Sequence, residues 1–494
     1  MLVSLSLSSF THLINPIGWP SLYYDEGIYL RRAMHLMNGF GPQEDPTFHD
    51  HPYFGQLFLA GILSLIGYPH IFDPQVGNTN SLELLYLIPR IIMGIIAVVD
   101  TFLIFQISDR IYNKRVALIA SIIFGVTPLS WLSRWILLDS ILVPFLLLSI
   151  LLAIISNNYL KSNNSSSQGI LLFLLSGMSL GLGIFTKIPV FVMIPLTGFL
   201  TFRNTKRSIN MVRFWFLPII LIPMIWPAYS IINGQFISWL GGVYYQTHRE
   251  SQMLVESFQT ILFKDDPMFL ILGIAGLIMA VIKKDLFILL WIIPFLLFFL
   301  GIGWVSLYHW IPLLPAFSIS IAAMIEEMLK RCQKKRISKT FPLTFAIVLT
   351  IGSIGLVTTT QIITKNVNST HFEAAAYLIS YLSIIKDKSN SNSQITVIAD
   401  PFYLWIAKYV FNLDFNYKTY YDTNAIGNRT ILVLDKDFRK AMSENYELDE
   451  RISQIHNSKN SHVVYIARDP GKTYNVTIVD SSQHPANQKV HPYP

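Results

Sequence analysis

The sequence predicts a mostly α, polytopic membrane helical bundle with a small C-terminal α/β domain. Three observations carry that expectation. Of 494 residues, 52% are hydrophobic and only 14% charged, with a positive mean hydropathy, a membrane-protein composition. Apolar runs of roughly 20 residues, long enough to cross a hydrocarbon core, recur over most of the chain. After residue 363 the pattern changes to short β-branched runs between polar, helical-looking stretches.

Residues 2–19 form a weak first span, with no charged n-region or small-residue cleavage site to mark a removable signal. The polar stretch from Tyr23 to Gln56 follows, and then residues 55–67, GQLFLAGILSLIG, too few to cross and therefore placed along an interface. Further spans are expected at 84–108, 116–132, 136–156, 169–185, 188–202, 213–232, 268–282, 285–303, 307–328 and 341–363, giving about 11 transmembrane helices. Only helices satisfy the backbone of such runs internally.

Arg110, Lys114, Arg115, Lys161, Arg203, Lys206, Arg207, Lys283, Lys284 and the block from Lys330 to Lys339 fall in alternate connections. Basic loops stay cytoplasmic, so the net charge of +7 reports orientation and not a nucleic-acid partner. The N-terminus is then cytoplasmic, while residues 21–53, the loop 233–267 and residues 364–494 lie on the outer face. Sequons at Asn368, Asn428 and Asn475 agree with an outer tail, although Asn163 and Asn164 match the same pattern on the inner side. The single cysteine, Cys332, excludes a disulfide scaffold or a cysteine-based zinc site.

The expected domains are a membrane-embedded catalytic domain over 1–363, with its first outer loop at 21–53, a soluble α/β domain over 364–482, and a disordered tail over 483–494. In the α/β domain, 395–400, 430–435 and 463–468 read as strands of a small parallel sheet built from βα units. Asp400 and Asp435 close two of these runs, where a carboxylate caps the next turn or, at the carboxyl edge of an open sheet, meets a ligand.

Charges are costly at membrane depth, so polar clusters beside the spans are candidate sites. Asp25 and Glu26 are adjacent, pointing about 100° apart on a helix; one can serve as general base, or both can pair with Arg31 and Arg32. His49 and His51 share a face if extended, with Asp50 opposite; they suit hydrogen bonds to a phosphate, and a divalent metal there is the one cofactor left open. Arg134 and Asp139, in SRWILLDS, stand between two spans at the outer boundary, where Arg134 either snorkels to headgroups or forks a phosphate. Lys187, in GIFTKIPVF, is a second boundary cation, an interfacial anchor or a ligand contact, and His309 occupies a third such segment. Asp100 lies inside a span without an assigned role.

Taken as an ordered set, DEGIY, HDHPYFGQLFLAGI, SRWILLDSILVPF, GLGIFTKIPVF and YHWIPLLPAF resemble blocks of polyprenyl-phosphate-sugar-dependent glycosyltransferases of the GT-C architecture, in the group of protein O-mannosyltransferases and aminoarabinose transferases. The resemblance covers roughly residues 20–320. It implies that Asp25 is the catalytic carboxylate, with Glu26 completing an acidic pair, and that Arg134 holds the donor phosphate. The family's HPPLGK block stands here as HPYFGQ, with Tyr53 for a proline and Gln56 for the lysine, which leaves sugar and acceptor open. The loop 233–267 is too short for the β-trefoil domain of the eukaryotic mannosyltransferases.

The expected function is an inverting transfer of a sugar, mannose being one candidate, from a polyprenyl- or dolichyl-phosphate donor to a protein, glycan or lipid acceptor on the outer face of the cell membrane. Asp139, His49, Asp50, His51, Lys187 and His309 join Arg134 as substrate-binding candidates. No nucleotide-binding fingerprint is present. The alternatives are a transporter or lipid-handling protein, for which the span interiors carry few ionisable groups, and a non-catalytic subunit of a glycosylation complex.

Overall fold

The computed structural model describes the chain except residues 48, 163–166, 204–208, 250–252, 303, 335–339, 389–394, 421–428, 457–460, 469–474 and 482–494. The expected tail at 483–494 and the sequons at Asn163, Asn164 and Asn428 lie outside the described residues. The rest is mostly helical, with one five-stranded sheet, and forms two compact units that do not follow the chain linearly. Met1–Pro16, Gly41–Phe58 and Arg90–Lys365 make the first; Ile17–Phe40, Leu59–Pro89 and Asn366–Pro494 make the second. The chain crosses between units within the first 90 residues, so Asp25 belongs to the second unit and His49, Asp50 and His51 to the first.

Among the described residues, four helices are long and apolar enough to cross a membrane: Thr79–Ile111, Leu138–Asn158, Gln168–Thr186 and Leu307–Arg331. Three bent pairs bring the number to seven if each pair is one span. The expected spans at 116–132 and 213–232 are broken, with bends of 71° and 42°, while the one at 268–282 is a continuous helix that meets the preceding segment Leu254–Asp265 at 119°. Proline explains where they break, because it lacks an amide donor and favours the first turn of a new helix: Pro128 opens a short 3-10 segment and Pro267 opens the helix Pro267–Lys283. Asp266 ties two of the breaks together. Its carboxylate accepts from the Phe269 amide at 3.1 Å, from the Leu129 amide at 3.3 Å and from the Thr127 hydroxyl.

The first helix, Leu2–Leu13, is shorter than the expected span and turns a polar stripe inward. Ser8 meets Thr101 at 2.8 Å, and Thr11 donates to the Gly125 carbonyl at 2.6 Å. Hydroxyls buried in apolar surroundings need such partners. Asp100 is also buried, on the helix Thr79–Ile111.

The second unit is built on the sheet. Its strands are β1 (Ile395–Ile398), β2 (Asn416–Lys418), β3 (Arg429–Leu434), β4 (Ser461–Ala467) and β5 (Val476–Ser481), in the spatial order β2-β1-β3-β5-β4. β1 pairs parallel with β2 and with β3, whereas β5 runs antiparallel to both β3 and β4. The expected all-parallel sheet is therefore mixed, and the run at 463–468 is an edge strand beside β5. Ile398, Leu432, Leu434, Phe438, Ile452 and Val479 form the core. Asp480 on β5 is fully buried and accepts from Arg429 and Tyr381, at 2.6 and 2.5 Å.

Asn368, expected as a glycan acceptor, is structural. Its side-chain amide donates to the Ile17 and Pro20 carbonyls at 2.6 and 2.8 Å, and its oxygen accepts from the Leu22 amide at 3.0 Å. With no exposed surface, it stitches residues 17–22 to the start of the helix Ser369–Lys388. The Asn368→Ala variant leaves three backbone groups without this partner, at about 1–3 kcal/mol for each that stays buried. Thermal unfolding in detergent should fall by several degrees, and peptide mapping of the native protein should find Asn368 unmodified.

Candidate functional site

The Asp25 helix, Tyr24–Met37, starts with both acids in its first turn, where the helix dipole favours negative charge. Glu26 is fully buried and its carboxylate accepts the Tyr23 amide at 2.9 Å, so it serves as the capping acid. Asp25 is half-buried. Gly27 explains how the helix is held: a Cβ there would lie 2.6 Å from the Phe402 amide nitrogen and 2.7 Å from the Pro401 carbonyl carbon. Only glycine allows this approach of the Asp25 helix to the turn Pro401–Trp405. Tyr24 packs edge-on to Tyr420, whose ring stacks on Phe438 at 4.9 Å.

The first unit contains a cavity of about 660 Å³, within the usual range for small-molecule sites. Most of its wall is apolar, including Ile188, Phe191, Ile194, Phe216, Ile220, Met224, Phe298 and Ile302; its polar groups include Asp50, His51, Lys187, Arg249 and His309. Lys187, His51 and Arg249 all lie within electrostatic reach of His309.

Lys187 and His309 are each placed by a local break in the helices. The helix Ser167–Thr186 ends before Pro189, leaving Lys187 extended at the junction. There its ammonium contacts the Asp139 carboxylate at 2.6 Å, with both side chains about 5% exposed or less, and stands 4.7 Å from the Tyr308 ring. His309 sits in the 3-10 segment Leu307–Leu313, and its Nδ1 accepts the Ser306 amide at 3.0 Å. An amide can only donate, so the neutral ring carries its proton on Nε2 as a donor.

The HDHP stretch does not present both imidazoles to one face. His51 and Asp50 line the cavity, while His49 is buried, its Nδ1 3.3 Å from the Tyr53 hydroxyl. Burial lowers the His49 pKa, which keeps the ring neutral. Gly242 makes this possible, since a Cβ there would lie 2.0 Å from the His49 carbonyl oxygen. Among the described residues no group of three or more His, Cys, Asp or Glu is gathered as metal ligands.

Arg134 differs from its expected role. It is 1% exposed, and its two terminal nitrogens donate to the Thr11 and Ile14 carbonyls at 3.4 and 2.5 Å. The guanidinium satisfies the carboxyl end of the first helix, where carbonyls lack intrahelical donors, and it does not line the cavity.

A second set of groups was not legible in the sequence. Trp226 Nε1, Trp239 Nε1, Gln246 Nε2, Arg249 Nε and Trp304 Nε1 belong to cavity-lining residues, and each is buried without a hydrogen-bond partner among the described residues. The Arg249 guanidinium lies 4.8 Å from the Tyr245 ring and 5.4 Å from Trp304. Five orphaned donors in one cavity are unusual, because nearly all buried polar atoms in folded proteins are paired. They suit a ligand rich in oxygen acceptors.

The fold is that of a multi-pass membrane protein and is shared with solved structures of other membrane proteins. Residues 43–246 match the family model of dolichyl-phosphate-mannose-protein mannosyltransferases, in agreement with the resemblance carried by the sequence blocks. Among solved structures, the archaeal oligosaccharyltransferase AglB from Archaeoglobus fulgidus, in complex with an inhibitory peptide and a dolichol-phosphate, is similar over 98% of this chain and 74% of its own, at 11% identity and a TM-score of 0.60. A crystal structure of the Archaeoglobus fulgidus oligosaccharyltransferase tethered with an acceptor peptide is similar over 82% of this chain, which spans 62% of that one, at 12% identity and a TM-score of 0.53. ArnT from Cupriavidus metallidurans, bound to undecaprenyl phosphate, is similar over 97% of this chain and 96% of its own, at 11% identity and a TM-score of 0.54. At these identities the likeness is one of fold. No curated protein matches the chain.

The Lys187–Asp139 pair gives a test of the site's construction. Asp139→Asn leaves the ammonium buried without its counter-charge and should destabilise the protein by about 3–5 kcal/mol. The double variant Asp139→Leu/Lys187→Met should recover most of that loss, read as the midpoint of thermal unfolding.

Proposed function

We propose that this protein transfers a sugar, mannose being the first candidate, from a polyprenyl- or dolichyl-phosphate donor to a protein, glycan or lipid acceptor on the outer face of the membrane. The observation that carries the proposal is a cavity whose lining is mostly apolar and includes five N–H donors without partners among the described residues. Phosphate and sugar oxygens accept hydrogen bonds, and an isoprenoid tail needs an apolar channel. Phe191, Phe216, Ile220 and Met224 on the apolar wall are exposed, as expected where a lipid tail continues into the bilayer. Support also comes from the mannosyltransferase family model and from the polyprenyl phosphates in the AglB and ArnT structures.

In this mechanism Arg249, Lys187, His51 and the Nε2 proton of His309 hold the donor phosphate. A guanidinium donates several hydrogen bonds in a fixed fork, so Arg249 takes the role first expected of Arg134. Asp25 accepts the proton of the incoming nucleophile as that atom bonds to the anomeric carbon. The bond to the donor oxygen breaks at the same centre, inverting configuration, and the electron pair leaves on the polyprenyl phosphate. Phosphate is a good leaving group, so one base suffices. Glu26 holds the first turn in shape. The full count of eleven crossings, the cytoplasmic N-terminus and the outer placement of Asp25 and of the α/β domain belong to the same proposal, supported by the alternation of basic loops.

Purified protein in detergent with a panel of polyprenyl-phosphate sugars tests the reading, scored as sugar transfer or slow donor hydrolysis; no turnover with any donor while donor analogues fail to bind would overturn it. Asp25→Asn should lower kcat by about 10²- to 10⁴-fold with donor binding retained, and Glu26→Gln should be milder. Arg249→Ala should weaken donor binding roughly 10- to 100-fold, the value of one or two charge-assisted hydrogen bonds. Arg134→Ala should lower the unfolding temperature and leave donor affinity of the remaining folded protein unchanged.

A further inference from the structure

Arg249, Lys187, His51 and His309 account for a phosphate in the cavity, and Trp304 stands beside Arg249 at 5.4 Å. Three further N–H donors on the lining have no part in that arrangement. Trp226 Nε1, Trp239 Nε1 and Gln246 Nε2 are each buried and without a hydrogen-bond partner among the described residues. None of the three carries charge. An indole nitrogen can only donate, so whatever meets these atoms must bring oxygens that accept.

Their placement follows from one helix and one break. On the helix Phe236–Thr247, Trp239, Val243 and Gln246 line the cavity at steps of four and three residues, which puts them on one face. Gly242 of the same helix lies against the His49 carbonyl, closer than a side chain would allow, and so seats the helix on the stretch that carries Asp50 and His51. Trp226 comes from the helix Ile225–Ile232, just after the 42° bend in its span. It is 3% exposed, packs with Tyr53 and Phe185, and meets the Trp239 ring edge-on at 5.5 Å and 79°. Phe236 stacks on Trp239, also at 5.5 Å, with the rings 16° apart. So held, the indoles cannot turn their N–H groups toward water without breaking that packing.

Length separates these donors from the phosphate. From Trp239 to Gln246 the helix rises about 10 Å, at 1.5 Å per residue, and Arg249 follows three residues later. A single phosphate cannot span that row. An isoprenoid tail has no oxygen to offer it, which leaves the sugar.

We propose that Trp226, Trp239 and Gln246 form the sugar subsite of this cavity, with Asp50 as its acceptor, and that the sugar it takes is uncharged. The proposal rests on the reading of the cavity as a polyprenyl-phosphate-sugar site. A sugar hydroxyl both accepts and donates, so it matches a wall of N–H donors beside a carboxylate. An ammonium group on the sugar would point its protons at those N–H groups, with Lys187 and Arg249 lining the same cavity. A carboxylate on the sugar would be set against Asp50, the one carboxylate among the described lining residues, while the cations are taken up by the phosphate. Sites built to hydrogen-bond a substrate reject analogues that leave their buried polar groups unpaired.

The test is ligand binding to the full-length protein in detergent, with two sets of probes: polyprenyl phosphate alone, and polyprenyl phosphates bearing mannose, glucose, galactose, glucosamine or glucuronic acid. One of the three neutral hexoses should give the tightest of the sugar-bearing ligands. Trp239→Phe keeps an aromatic ring but removes the N–H. It should weaken that hexose ligand by roughly 3- to 10-fold, the value of one neutral hydrogen bond, and leave polyprenyl phosphate unchanged. Gln246→Glu exchanges two donors for a carboxylate at nearly equal size, and should shift the ratio of glucosamine to hexose affinity toward glucosamine by roughly 10-fold. Arg249→Ala should weaken every ligand in both sets.

Tightest binding of the glucosamine or glucuronic acid ligand would overturn the proposal. So would Trp239→Phe and Gln246→Glu variants that change polyprenyl phosphate and its hexose form alike or not at all, which is the pattern of a purely structural role. Both results leave the cavity as a donor site. Failure of every probe to bind the parent protein, polyprenyl phosphate included, would remove the donor site and the sugar subsite together.

Discussion

A lysine ammonium held 2.6 Å from an aspartate carboxylate, both nearly sealed from solvent, is the constraint around which the cavity is arranged. Taking either charge out of water alone would cost several kcal/mol, and the pair is tolerable only because geometry and neighbours are good. Lys187 occupies the junction after the helix Ser167–Thr186, so the pair holds that junction against the start of the preceding membrane helix, Leu138–Ser162. Tyr308 packs over the ammonium, and with it comes the 3-10 segment that presents His309. Arg134 shows the opposite use of a cation: its two terminal nitrogens are turned to backbone carbonyls at the carboxyl end of the first helix and not to the cavity. The cavity therefore combines polar groups already committed to the protein with N–H groups left open, and the open ones are donors. That asymmetry favours phosphate and sugar oxygens over cations or amines.

The cations at the span boundaries were legible because a charge in a long apolar run stands out and must be accounted for. Lys187, Asp139, His51 and His309 were found that way. What the sequence could not tell is which charge the fold has already neutralised. Arg134 looks like a phosphate fork until the carboxyl end of Leu2–Leu13 is seen beneath it. The tryptophans were missed for a related reason: in a greasy run an indole reads as a membrane-interface anchor, and whether its N–H has a partner is a tertiary property. Arg249 stands in the loop 233–267 among polar residues, where one more charge does not stand out.

The fold shows the same division. Hydropathy averages across a break, so 116–132 looks like one span although Pro128 bends the chain there by 71°. β1 and β3 were visible as β-branched runs. β2 has three residues and β5 begins in the mixed stretch around Asn475, too little pattern for the alternation that marks a strand. Without β5, which runs antiparallel to both of its neighbours, the remaining runs read as a parallel sheet.

The docking of Gly27 against Pro401 and Phe402 joins parts of the chain that leave the ribosome far apart in time. At roughly 5–20 residues per second, the turn that receives the Asp25 helix emerges some tens of seconds after that helix. During this interval several hydrophobic segments must enter the bilayer while the acidic loop lacks its final support. The apolar face carried by Tyr29, Leu30 and Ala33, buried in the finished protein, is then without its native cover. Assembly of the acidic loop is thereby tied to completion of the whole polypeptide, and a chain released early would carry Asp25 but not the turn against which its helix docks.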